Sequence, residues 1–422
     1  MASFSFGAGN ARKLARIPLY VLGRLVTLVL PRREGAWAFG CGAGIGDGAL
    51  ALWRTVTAAG HDPIWLVGSD REASDAAALG IRTVRKHSLR GFLATARAAV
   101  VVVTHGFGDV NRYAVSGAFL VQLWHGIPLK RIGLDSPETV RAPAPLDRIP
   151  GVRGLIGRLY RRAARQIRVL PAASHLVRGR LESAFALPDA RVPVTGEPRV
   201  DVLSQGEPDA RREAARRLVV ARTGALGEHT RLVLYAPTWR DGAPDPAIPT
   251  HAQWTRLLEV LEAADAVLLV RSHPLGAGDY RPPVATERVR ALSSDLVADV
   301  TPVLPGLDAL VTDYSSLAFD AALVPLPVVY LAPDVEEYGR RRGFYGRYAD
   351  VAGDDYANDW TDAAEQLARV LSDDAERERR IARSRALSDR VHAFRDGGNT
   401  GRVYRAIVTG AGRMAGPQRE NR

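Results

Sequence analysis

An α/β architecture of two Rossmann-like domains facing each other across a cleft is what the sequence predicts, and three observations predict it. Short apolar runs of strand length alternate with segments of helical periodicity along the whole chain, the pattern of parallel sheets. A turn-rich stretch, VPVTGEPRVDVL (192–203), interrupts that alternation near the middle and reads as a hinge. Two runs of the second half, 232–235 and 309–311, end directly in the polar tails Ala236-Pro237-Thr238 and Thr312-Asp313. Such tails emerge at the carboxyl ends of strands, where parallel sheets bind their ligands.

The elements follow in order. Residues 17–31 (IPLYVLGRLVTLVLP) are apolar apart from Arg24 and Thr27, with Arg12, Lys13 and Arg16 before them and Arg32 and Arg33 after. The run is shorter than the roughly 20 residues that span a bilayer and carries Arg24 near its middle. No small-residue cleavage site precedes Trp37-Ala38-Phe39, which reads as the first core strand. The expectation is an amphipathic, membrane-associating helix over 13–31, within a segment 1–34, lying against the cytoplasmic leaflet. The alternative is a helix packed on the protein itself.

An N-terminal domain is expected over 35–195, with strands at 37–40, 63–67, 99–103, 119–124 and 168–172. The Gly-rich turn FGCGAGIGDGALA (39–51) contains Gly46-Asp47-Gly48-Ala49-Leu50-Ala51, a loose dinucleotide fingerprint. No acidic residue closes the next strand, since Asp70 comes three residues late. The glycines therefore read as allowing close backbone approach to an acceptor or to the helix, and not as an NAD site. From Gly154 to Arg168 the sequence GLIGRLYRRAARQIR places Leu155, Ile156, Leu159, Tyr160, Ala163 and Ile167 on one helical face, with five arginines mostly elsewhere. That is the pattern of a membrane-surface helix or of a dock for an anionic polymer; an ordinary solvated face is the alternative. A C-terminal domain is expected over 196–400, with strands at 231–235, 266–270, 309–312 and 327–331 and helices at 252–264 and 363–372, followed by a tail 401–422 that frays from about Ala411.

Composition narrows the function classes. The chain has 422 residues, 46% hydrophobic and 24% charged, enough for two globular domains and not the composition of a disordered protein. A net charge of +11 favours anionic partners, although only three of the 57 basic residues are lysine. A single cysteine, Cys41, excludes an intramolecular disulfide framework and reads as buried filler. The aromatic-studded basic motifs of RNA-binding modules are absent, which argues against a nucleic-acid partner. No D-x-D motif or His/Cys ligand cluster stands out, so no protein-bound metal and no cofactor are expected; Mg²⁺ accompanying a pyrophosphate stays open.

The chemistry concentrates in four second-half segments: YAPTWRD (235–241), RSHP (271–274), TDYSSLAFD (312–320) and RRGFY (341–345). Their Thr238, Arg240, Arg271, His273, Ser315 and Ser316 are the cations, hydroxyls and N–H donors that a pyrophosphate needs. An enzyme for a nucleotide-activated substrate is the reading. In the first half, QLWHGIPLKRIGLD (122–135) places His125 between Trp124 and Gly126 at a strand's carboxyl end, where an imidazole can take a proton from a hydroxyl. A histidine simply bonded in a turn is the alternative.

WHGIPLKRIGLD, GEPRVDVL (196–203), YAPTWRD, RSHP, TDYSSLAFD and RRGFY stand in an order and spacing that resemble the CDP-glycerol glycerophosphotransferase family, the teichoic acid primases and polymerases, over about residues 36–350. Departures are Ile127, where the family usually has Thr, and the excess of glycine at 40–48. The resemblance implies a GT-B-like fold and transfer of glycerol phosphate from CDP-glycerol to a hydroxyl of a lipid-linked acceptor, with release of CMP, on the cytoplasmic face of the cell membrane. It implies His125 as general base, with Arg240, Arg271 and His273 neutralising the pyrophosphate and Thr238, Ser315 and Ser316 donating to it. Asp313 is a candidate to orient His273 or to hold the donor's hydroxyls, and Asp320 a further donor-side candidate or only a helix residue. CDP-ribitol as donor, or a nucleotide sugar on the same fold, are the rival readings.

Overall fold

The computed structural model describes residues 17–142, 148–240, 245–272 and 278–415. These form two compact units. Unit 1 takes the described residues up to His125, Arg131–Asp201 and those from Asp396 onward, and unit 2 takes Gly126–Lys130 and Val202–Arg395.

Unit 1 is built on a parallel sheet of β1 (Arg33–Phe39), β2 (Ile64–Val67), β3 (Thr83–Arg85), β4 (Ala98–Val103), β5 (Phe119–Gln122) and β6 (Ile167–Val169). Their spatial order is β3-β2-β1-β4-β5-β6. The central β4, Ala-Ala-Val-Val-Val-Val, is apolar on both faces because helices cover both sides of such a sheet. Trp37, Phe39, Trp53 and Trp65 fill one side, with Phe39 5.2 Å from Trp53 and Trp53 5.5 Å from Trp65. The helix Asn399–Ala415, divided between domain and tail in the sequence reading, belongs to this unit and continues past Ala411. Val403 and Ile407 enter the unit 1 core, Tyr404 stacks on Trp37 at 6.2 Å, and Asp201 accepts the N–H groups of Asn399 and Thr400 at the helix start.

Unit 2 has a second parallel sheet, β7 (Arg231–Ala236), β8 (Ala266–Val270), β9 (Val289–Ala291), β10 (Ala309–Thr312) and β11 (Val328–Tyr330), in the order β11-β10-β7-β8-β9. The helices His251–Ala263 and Trp360–Ser372 bury Trp254, Leu257, Leu261, Trp360 and Leu367 against it. Tyr235 meets Trp360 edge-on at 4.8 Å.

β3 and β9 are absent from the sequence reading. Each is three residues long and only partly buried, too short to leave an apolar run.

The N-terminal helix is Ile17–Val29, and residues 13–16 of the expected 13–31 helix lie outside the described residues. It rests on the protein through Tyr20, 4.8 Å from Tyr113, and through Gly23, where a side chain would strike the Tyr113 carbonyl. Leu19, Val21, Leu22, Leu25, Leu28 and Val29 are exposed, the last two at 74% and 81%. Arg32, read as a flanking membrane cation, is instead drawn inward to the carbonyls of Thr95, Ala98, Ala114 and Ser116. The Arg-rich helix runs Val152–Ala164, ending earlier than the expected Arg168 because Ile167 begins β6. Ile156, Tyr160 and Ala164 point inward while Leu155, Arg158, Leu159, Arg161 and Arg162 face solvent. No described helix is long and apolar enough to cross a membrane.

Candidate functional site

In an open parallel sheet the ligand crevice lies at the carboxyl ends of the strands, where the strand order reverses direction. In unit 1 that point falls between β1 and β4. The loop after β1 is the Gly-rich turn and the loop after β4 is Thr104-His105-Gly106. The adjacent strand, β5, leads to Trp124 and His125.

These loops are held tightly. Asp109 Oδ2 accepts the N–H groups of Thr104 at 2.9 Å, His105 at 2.7 Å and Gly106 at 3.3 Å. The Thr104 hydroxyl accepts the Gly42 N–H at 3.2 Å. Glycine is required there: a Cβ on Gly42 would come within 2.5 Å of the His105 ring, and one on Gly40 within 2.2 Å of the Asp109 carbonyl. The glycines of the turn thus allow close approach to the neighbouring loop, and Asp47 at the helix start is tied to Arg199 at 3.2 Å. Trp124 adopts φ +64, a left-handed backbone costing on the order of 1–2 kcal/mol in a non-glycine residue. Its ring lies 4.2 Å from that of His125 and 5.2 Å from Phe185. His125 itself is half-buried, its Nδ1 3.5 Å from the Thr104 carbonyl. Cys41 is fully enclosed and burial pushes its thiol pKa up, consistent with filler and not a nucleophile.

In unit 2 the reversal falls between β7 and β10, whose carboxyl ends carry YAPTW and TDYSS. Asp313 joins the two loops, accepting the Thr238 N–H at 2.9 and 3.1 Å and pairing with Arg240 at 2.8 Å. Arg240 also pairs with Asp334 at 2.9 Å and lies 4.9 Å over the Tyr314 ring and 5.1 Å from that of Tyr338. Burial opposes its charge, but Asp313 and Asp334 outweigh burial and hold its pKa above the ordinary value. Tyr314 donates to Asp334 at 2.9 Å and packs on Phe344 at 5.5 Å, so TDYSS and RRGFY come together. Phe344 bridges in turn to Lys130, and Tyr345 N–H bonds to the Leu129 carbonyl, which brings GIPLK to the same cluster.

Thr238 holds the switch-point position, its hydroxyl buried and without a hydrogen-bond partner among the described residues. Ser315 and Ser316 are half-buried at the end of β10, Ser315 Oγ accepting the Leu317 N–H at 3.2 Å. The helix they precede, Leu317–Ala321, is a single short turn. Asp313 is where expected, but its contacts are with Thr238, Tyr314 and Arg240. Arg240 is engaged by two carboxylates and the Thr238 carbonyl, and Arg271 by the carbonyls of Leu292, Val297 and Ala298, so both guanidinium groups brace loops. Asp320 is fully buried in the Leu317–Ala321 helix. His273 lies outside the described residues. Among the described residues no group of three or more His, Cys, Asp or Glu could hold a metal ion.

His105 and Thr104 escaped the sequence reading. The signal was there: T-H-G ends an apolar run just as T-D-Y ends that of β10.

Comparison with known proteins fits this geometry. The chain is 29% identical over 272 residues to a teichoic acid glycerol-phosphate transferase of Staphylococcus aureus, covering 63% of this chain and 65% of that protein. It is 26% identical over 237 residues to a teichoic acid poly(ribitol-phosphate) polymerase of Bacillus spizizenii, covering 55% and 35%. The chain thus spans just under two thirds of the first relative and about a third of the second. The solved wall teichoic acid polymerase TagF superimposes with a TM-score of 0.74 at 20% identity over 96% of this chain and 97% of that one, which establishes a shared α/β fold of parallel sheets, GT-B-like. A family model matches residues 42–409, and the chain accordingly belongs to the CDP-glycerol:poly(glycerophosphate) glycerophosphotransferase family.

Proposed function

We propose that this protein transfers glycerol phosphate from CDP-glycerol to a hydroxyl of a lipid-linked acceptor, releasing CMP, in the synthesis of teichoic acid or a related cell-wall polymer. The observation that supports this best is that YAPTWRD and TDYSSLAFD follow β7 and β10 at the switch point of the unit 2 sheet, while the WHG and RSHP motifs follow β5 and β8, the strands next to a switch-point strand.

In this reading His125 of unit 1 is the general base. Its Nε2 takes the proton of the acceptor hydroxyl as that oxygen forms a bond to the β-phosphorus of the donor. The bond from that phosphorus to the bridging oxygen breaks, and CMP leaves with the electron pair. Phosphoryl chemistry of this kind depends on positioning and charge stabilisation more than on covalent help from the protein. Unit 2 supplies the donor-side groups: the Thr238 hydroxyl, Ser315, Ser316 and His273. Asp313, Arg240 and Arg271 act through them, fixing the loops on which they stand. Any Mg²⁺ arrives with the pyrophosphate. The exposed apolar side of the Ile17–Val29 helix and the outward arginines of Val152–Ala164 support a peripheral enzyme on the cytoplasmic face of the membrane, within reach of an insoluble acceptor.

Relatives that act on ribitol phosphate keep CDP-ribitol as a second reading of the same site. Mass spectrometry of the product, with CDP-glycerol, CDP-ribitol and UDP-sugars offered in parallel with a lipid acceptor, tests both. The expected product gains one glycerol phosphate, and His125→Ala lowers turnover about 100- to 10,000-fold. Transfer of a sugar, or His125→Ala keeping more than a tenth of turnover, overturns the reading.

A further inference from the structure

His105 has no part in that mechanism, yet its ring lies flat on the ring of His125, centroids 4.2 Å apart and planes 3° from parallel. Both rings meet a single residue, Thr104. Its hydroxyl is 2.8 Å from His105 Nδ1 and its carbonyl 3.5 Å from His125 Nδ1. Thr104 is fully buried and pinned, since its N–H is bonded to Asp109 and its carbonyl also accepts from Gln122 at 2.7 Å. A carbonyl only accepts, so its contact with His125 requires the proton on Nδ1 and leaves Nε2 as the basic nitrogen. Room for the His105 ring depends on Gly42 having no side chain.

We propose that His105 is a positioning residue whose ring is the platform that fixes the plane and tautomer of His125. The inference rests on the reading of His125 as the base. Two imidazolium rings at this separation repel, so the pair takes up at most one proton at a time. The charged and titratable groups around it are Asp47 and Cys41 from the Gly-rich turn, Asp109 from the loop after β4, and Arg199. Burial pushes the His105 pKa down against the pull of Asp109 and Asp47, which disfavours an imidazolium at His105. The neutral face of His105 then lies against the imidazolium as it forms, an arrangement that favours the charge.

The test compares His105→Phe with His105→Ala in the full chain, by the pH dependence of kcat and KM for CDP-glycerol and by ¹⁵N shifts of the histidine rings. The expected wild-type result is a His125 held in its Nδ1–H tautomer and a His105 whose pKa lies below that of an ordinary histidine. His105→Phe keeps a flat face and retains kcat within about threefold and the His125 tautomer. His105→Ala removes the platform, lowering kcat roughly 10- to 100-fold with KM little changed and mixing the His125 tautomers. Three results would overturn the proposal: His105→Phe as impaired as His105→Ala, His105→Ala with wild-type kcat and tautomer, or a His125 found as the Nε2–H tautomer in the wild type. The tautomer of His125 reads the platform whether or not that ring is the base. A His125→Ala variant with normal turnover therefore removes the base assignment alone.

Discussion

Arg240→Ala is the perturbation that separates a bracing arginine from a phosphate-binding one. The guanidinium is buried and serves two carboxylates, Asp313 at 2.8 Å and Asp334 at 2.9 Å, with the Tyr314 and Tyr338 rings against it at 4.9 and 5.1 Å. Removing one partner of a buried pair costs about 3–5 kcal/mol, because the charge left behind stays desolvated. Burial already pushes the Asp313 carboxyl upward, so part of that cost is relieved by protonation, and about 3 kcal/mol is the working expectation. For a unit in the range of roughly 150–250 residues this lowers the melting temperature by about 6–12 °C. Arg240→Lys recovers only part of it, since an ammonium cannot fork between two carboxylates. Urea titration followed by tryptophan fluorescence measures the loss in the unit 2 transition, and calorimetry measures CDP-glycerol affinity of the folded protein. Destabilisation with affinity weakened no more than Thr238 displacement accounts for, about tenfold, is expected. A variant within about 1 kcal/mol of wild-type stability that no longer binds the donor refutes the bracing role and puts Arg240 on the phosphates.

Two further outcomes follow from the electrostatics and the surface. Glu376 accepts from Arg379 at 2.7 and 2.9 Å and from Arg380 at 2.6 Å, and these bonds, Arg379 first, lower its pKa from 4.5 to about 2. A depressed carboxylate stabilises the fold above its unfolded value and loses that contribution as the pH falls from 4.5 through 2. Glu376→Gln should therefore remove on the order of 1–3 kcal/mol at pH 7 and flatten the acid limb of unit 2 stability; an unchanged limb would show that the pair is inert. On vesicles containing anionic lipid, high salt should release only part of the protein, because the arginines of Val152–Ala164 are screened and the apolar Ile17–Val29 helix is not. Protein that stays in solution at low salt in the presence of such vesicles would remove the membrane reading.

The alternation of apolar runs with helical patterns made the two parallel sheets legible, because strands buried on both faces must be apolar. His125, Thr238, Asp313, Ser315 and Ser316 were legible for a related reason: a polar residue directly after such a run has to sit at the sheet's carboxyl edge. What was not legible depends on contacts across long sequence separations. Arg240 reads as a phosphate cation until Asp334, 94 residues on, is seen beside it. Arg271 reads the same way until the carbonyls of 292–298 surround it. The return of Asn399–Ala415 to unit 1 turns on Asp201 accepting N–H groups 198 and 199 residues away, which no local pattern encodes.

These partnerships divide the motif residues by task. Arg199 secures Asp47 at the Gly-rich turn, Asp201 secures the C-terminal helix, Asp109 gathers three successive N–H groups under His105, and Arg240 with Asp313 locks the loops after β7 and β10. Most of the charges that sequence reasoning assigned to the substrate are thus spent on loop geometry. In the proposed reading, what is left to meet the donor is a small set of neutral groups, the Thr238 hydroxyl and the two serines. That is a sound arrangement for transferring a charged group, because dipoles held rigid by buried ion pairs need not reorganise when charge shifts in the transition state. On the proposed reading, substitution of a bracing residue is expected to lower turnover by letting the loop move, with stability lost alongside, and substitution of a contacting residue to lower it with stability kept.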